Sequence, residues 1–133
     1  MSALRSMVQD GGLTRASRAG DNLNSSCALV TIAADANATL SVATIAGGLV
    51  QFTGFTAGRT LTTDTAANIL AANPWMDIGD SFRVDVSIVP AFAGTLAAGA
   101  GVTLAGKSAV PASGYNTLVF LKTSATAVTC TVL

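Results

Sequence analysis

Phe82, Val84, Val86 and Ile88 alternate with Ser81, Arg83, Asp85 and Ser87 in the clearest strand signal of the chain. Successive side chains of a strand point to opposite faces, so the first set predicts a core face and the second a face toward solvent or a partner. Similar runs occupy Cys27 to Ile32, Thr39 to Ile45 (with Leu40, Val42 and Thr44 on one face), Leu49 to Phe52, Thr60 to Thr63 and Val128 to Val132. Tyr115 to Lys122 is apolar on both faces, as expected of a central strand or one lying between subunits. Asp35-Ala36-Asn37, Gly47-Gly48, Gly54 to Gly58, Asp77-Ile78-Gly79-Asp80, Lys107 to Gly114 and Ser124-Ala125 break these runs. Short strands at a spacing of roughly 8–12 residues predict a mainly β domain, a sandwich or jelly-roll-like barrel.

Two segments depart from this rhythm. Thr65 to Ala72 predicts one short helix, with Ala66, Ile69 and Leu70 on its apolar side. Thr63 or Asp64 can cap its first free N–H groups, and Pro74 stops it by disfavouring helical geometry at Asn73. So short a helix needs packing to persist, so it is expected to cover one end of the sheet. Gly94 to Ala97 and Gly101 to Ala105 form a near-repeat around Ala98-Gly99-Ala100, which reads as a glycine hairpin.

Met1 to Ser26 has no sustained periodicity and holds five of the fourteen charges, Arg5, Asp10, Arg15, Arg18 and Asp21. It reads as an extended N-terminal arm that cannot build its own core, either a solvated tail or a segment that orders on a neighbouring subunit. The expected organisation is an arm over 1–26 and a β-rich body over 27–133.

Composition narrows the function. Apolar residues make up 50% of the chain, but many are alanine, which adds little buried area per residue. Charged residues are only 11% and the formal net charge is zero, so the surface repels other copies weakly and favours packing on partners. No basic patch argues for nucleic acid. No secretory leader pattern opens the chain. Val86 to Gly106 is uncharged and long enough for a membrane helix, but its proline and glycines favour strands and turns.

The chain has no histidine, which removes Ser-His-Asp and Cys-His chemistry, and its seven acidic residues are all aspartate. Asp77 and Asp80 flank Gly79 and read as turn residues, in preference to an acid–base pair or calcium ligands. Gly101 to Ser108 formally matches G-x-x-x-x-G-K-S, but a phosphate loop needs a preceding buried strand and a following helix. Here the middle reads as a strand and Pro111 follows. Cys27 and Cys130 read as buried thiols acting as small hydrophobes, with a disulfide left open because it needs close Cα atoms. No enzyme activity, cofactor or metal is expected. Arg83 and Asp85 are expected to form a weak surface ion pair. Trp75, the single tryptophan, suits either core or seam packing or a stacking platform for a sugar ring.

The runs Thr63-Asp64-Thr65-Ala66-Ala67-Asn68-Ile69, Ile78-Gly79-Asp80-Ser81-Phe82 and Leu96 to Leu104 (LAAGAGVTL) together resemble a module of tailed-phage virion proteins. The resemblance spans about Thr60 to Leu133; Trp75-Met76 and Pro90-Ala91-Phe92 depart from it. It implies a capsid decoration (cement) or head-fibre protein on the capsid exterior of the virion. The expected partners are the major capsid protein and further copies of this chain, with a trimer as the expected form. The arm, through Arg5, Arg15 and Arg18, would then dock on the capsid, and Trp75 would serve an interface or a ligand. A carbohydrate-binding fibre or adhesin module, and a tail or baseplate subunit, are the alternatives.

Overall fold

In a computed structural model, which describes residues 28–133, the chain winds back and forth between two mixed β-sheets. Strands β1 (Ala28–Ile32), β3 (Gly48–Phe52) and β5 (Ser81–Ile88) lie side by side and parallel in one sheet. The strands between them, β2 (Ala38–Leu40), β4 (Arg59–Thr63) and β6 (Gly94–Ala97), lie parallel in the other. Each pass thus adds one strand to each sheet. The remaining strands close the structure: β7 (Val102–Gly106), β8 (Ala109–Val110), β9 (Gly114–Lys122) and β10 (Val128–Val132). The six-stranded sheet has the order β1-β3-β5-β9-β10-β7, and the four-stranded sheet β2-β4-β6-β8. The arm expected over 1–26, with Arg5, Arg15 and Arg18, lies outside the described residues, as does Cys27.

One core joins the sheets. Leu40, Leu61, Leu96 and Val110 from the smaller sheet meet Val50, Phe52, Val84, Val86, Ile88, Leu118 and Phe120 from the larger. The expected alternation of β5 holds, with Val84, Val86 and Ile88 buried and Ser81 and Arg83 exposed. β9 is central, between β5 and β10, as its apolar character on both faces predicted. Its Phe120 stacks on Phe82 with ring centroids 5.1 Å apart. Cys130 is buried on β10, where burial pushes its thiol up to about 12 and keeps it protonated.

Three local expectations are corrected. Thr39 to Ile45 is not one strand: β2 ends at Leu40, and α1 (Val42–Ile45) follows, so the body has two helices where one was expected. Ser41 starts it, its hydroxyl accepting from Thr44 N at 3.2 Å, and Asp64 accepts from Val42 N at 3.0 Å. That second partner comes from 22 residues away, which local periodicity does not register. The glycine hairpin is also not a hairpin, because β6 and β7 belong to different sheets. Ala98 to Gly101 carries the chain over the edge of the sandwich. Finally, the loop expected over Lys107 to Gly114 contains β8, which pairs with β6.

The predicted helix is present as α2 (Ala66–Ala72), with Ala66 and Ile69 buried. Thr65 is its cap, one residue later than expected, accepting from Asn68 N at 3.2 Å. Asp64 supports this start through Thr65 N and Asn68 Nδ2 while also accepting from Val42 N at the start of α1.

Candidate functional site

Three features of the body could meet a partner or ligand: a junction at the helix starts, a cleft beside the helix ends, and the outer face of the larger sheet.

The junction is built by two motifs that lie far apart in sequence. Thr63 Oγ1 accepts from Gly99 N at 2.9 Å and donates to the Asp64 carbonyl at 3.0 Å. Ala66 N donates to the Ala100 carbonyl at 2.8 Å. The Asp64 carboxylate accepts from Val42 N, Thr65 N at 2.7 Å and Asn68 Nδ2 at 2.8 Å, so it ties both helix starts together. Partial burial penalises its charge, but these donors outweigh that penalty and the net effect lowers its pKa. The TDTAAN and LAAGAGVTL runs are therefore one structural unit. Its groups are committed to one another, which makes it scaffold.

A depressed folded pKa means that Asp64 stabilises the fold fully above its unfolded value near 3.9, and that this contribution is lost as pH falls through the folded pKa. Asp64→Asn is expected to cost about 1–2 kcal/mol at pH 7. The gap between variant and parent should narrow below about pH 4. Urea unfolding at both pH values checks this. Asp35 has the same sign. Hydrogen bonds from the Thr56 hydroxyl and N–H, with Arg59 at 2.8 Å, hold its carboxyl down at about 2.

The cleft has a volume of about 550 Å³ and lies where α1, α2 and the start of β5 converge. Trp75 lines it and is 39% exposed, so it is not a core residue. Its Nε1 donates to Asn73 Oδ1 at 3.3 Å, and Asn73 Nδ2 donates to the Ile69 carbonyl at 2.9 Å. The indole is thus held against the end of α2. Phe82 and Arg83 form the β5 side of the cleft. Sequence reasoning found Trp75 but not its company. The Ser41-x-x-Thr44 capping spacing could have signalled α1, which forms one wall.

The outer face of the six-stranded sheet carries Leu29, Leu49, Tyr115, Val119 and Leu121 among threonines. Leu29 and Tyr115 are the most exposed of these, at 52% and 68%. Arg83 and Asp85 lie on this face but do not pair as expected. Same-face neighbours on one strand project in parallel, and Asp85 instead accepts from Thr117 Oγ1 across the ladder at 2.6 Å. The corresponding face of the smaller sheet differs. Its outward positions are Thr39, Thr60, Thr62, Thr95, Ala97 and Ala109, with no large apolar side chain.

The other candidate chemistry resolves into structure. Asp80 Oδ2 accepts from Asp77 N at 2.9 Å, which makes the pair a turn. The formal phosphate-loop match runs through β7, and β8 follows it where a helix would be needed. Val86 to Gly106 forms strands and turns, and no helix among the described residues is long and apolar enough to cross a membrane. Among the described residues, no three His, Cys, Asp or Glu side chains come together as a metal would require. Comparisons with protein families, with functionally characterised proteins and with solved structures give no match to this chain.

Proposed function

We propose that this chain is a non-enzymatic structural protein of a phage virion, binding the outside of the assembled capsid as a decoration protein. The observation that carries the reading is the outer face of the six-stranded sheet. Leu49, Val119 and Leu121 stand there half-buried beside exposed Leu29 and Tyr115, with Arg83 and Asp85 as the charged residues of the face. Depletion of charge around aromatic and aliphatic side chains is the compositional mark of an interface core. The resemblance of Thr60 to Leu133 to phage virion modules agrees with it, as does a chain with 11% charged residues. Residues 1–26 act in this reading as the docking arm, through Arg5, Arg15 and Arg18. Further copies of the chain, as a trimer, supply the multivalency that holds a small protein on a repeating lattice.

The test is co-sedimentation of the full chain, and of a chain lacking residues 1–26, with capsids assembled from the major capsid protein of the same virus. The full chain is expected to saturate the capsids at a fixed stoichiometry, and the shortened chain to bind at least about tenfold more weakly. Absence of co-sedimentation by the full chain would refute the capsid reading. Equal retention of both chains would refute the role of the arm.

A further inference from the structure

We infer that the cleft beside Trp75 is a binding site for an acidic saccharide, a pyranose bearing a carboxylate. This rests on the cleft and does not require the capsid reading, although Arg83 belongs also to the sheet face that reading uses.

The cleft falls within the size range of small-ligand sites, roughly 300–1,000 Å³, at about 550 Å³. Its wall combines the features such a ligand needs. Trp75, 39% exposed, offers aromatic surface for the apolar face of a sugar ring, and Phe82, stacked on Phe120, closes the β5 side behind it. The indole is pre-positioned by Asn73, itself fixed to the Ile69 carbonyl, so little ordering is left to occur on binding. α1 and α2 both end at the cleft, at Ala46 and at Ala72-Asn73. Helix ends leave carbonyls without intrahelical partners; at α2 those of Ile69 and Leu70 already accept from Asn73, so the carbonyls of the cleft-lining Ala46 and Ala72 are the candidate acceptors for sugar hydroxyls.

Arg83 selects the acidic form. It is the one charged residue among the described residues that line the cleft. A guanidinium matches a carboxylate through two parallel N–H···O bonds. Asp85, its nearest carboxylate along the strand, is engaged by Thr117 on the neighbouring strand. An aromatic platform beside an arginine, with backbone acceptors around both, fits a uronate or sialate better than a neutral hexose.

Because Trp75 is the only tryptophan, its fluorescence reads the cleft directly. The experiment titrates the full chain with an oligogalacturonate and with sialyllactose, and in parallel with methyl-esterified oligogalacturonate and lactose as neutral counterparts. A saturable change in Trp75 emission is expected with at least one acidic sugar, and roughly ten- to hundredfold weaker binding by its neutral counterpart. Arg83→Gln should remove this preference while leaving the weaker neutral binding in place. Arg83→Lys, which keeps the charge but not the fork, should restore part of it. Both substitutions fall at an exposed strand position, so the circular dichroism of parent and variants should coincide. No saturable response to either acidic sugar up to about 10 mM would overturn the inference. Equal affinity for acidic and neutral sugars, or an acid preference that survives Arg83→Gln, would overturn it as well.

Discussion

Gly99→Val is expected to destabilise the body by about 3–5 kcal/mol, a large share of the roughly 5–15 kcal/mol available to a domain. A Cβ at this position would lie 2.5 Å from the Asp64 carbonyl oxygen and 2.6 Å from that of Thr63. Both are backbone atoms, at the end of β4 and just before α2, with no flexible side chain to move aside. Relief requires Ala98 to Gly101 to lift away from the helix. That movement breaks the Gly99 N–Thr63 Oγ1 bond and the Ala66 N–Ala100 O bond. Thr63 is only 2% exposed, so water cannot readily replace its lost partner. Gly101, two residues on, holds φ at 79°, so the turn has little freedom to re-form elsewhere. The expected fall in melting temperature is roughly 10–20 °C by calorimetry. Gly58→Ala is the matched control. Its added Cβ meets only the Ala93 carbonyl, at 3.8 Å, and stability should change by less than about 0.5 kcal/mol. If the two variants melt together, the junction does not hold the fold in the way described.

Leu121→Glu is expected to weaken capsid binding by about 100-fold while leaving the body folded. Leu121 lies on the outer face of β9, between Ser81 on β5 and Thr129 on β10. In the free protein the new carboxylate reaches water, and a half-buried position of this kind costs about 1 kcal/mol or less. Under a partner it is an uncompensated buried charge, worth about 3–5 kcal/mol, or more than two decades of affinity. Thr62→Glu puts the same charge on the opposite side of the sandwich, between Thr39 and Ala97. It is expected to change binding by no more than about twofold. The pair of variants therefore asks which face docks, with charge added in both cases. Equal losses would point to general electrostatic repulsion, and no loss in either would remove the sheet faces from the interface.

The sequence made the strands legible because burial alternates along each of them. Phe82 to Ile88 and Val128 to Val132 carry that signal plainly. Alternation does not say which strands are neighbours, or whether they run parallel. Ala98 to Gly101 is short enough for a hairpin, and only the strand pairing shows that it crosses between sheets, held there by its bonds to Thr63 and Ala66. α1 escaped notice for the same reason: one of its two caps is Asp64, distant in sequence. The candidate sites follow this division. The apolar outer side of β9 was visible in Tyr115, Val119 and Leu121, because a strand apolar on both faces stands out. The cleft was visible only as Trp75, because Arg83 and α1 reach it through tertiary packing.

Cryo-microscopy of capsids carrying the full chain tests the docking face most directly. The account predicts density for the body on the capsid exterior, with Leu49, Tyr115 and Leu121 facing the capsid lattice or a neighbouring copy. Density confined to the tail, or a body on the capsid with this face turned to solvent and the Thr39–Thr62 face in contact, would contradict it.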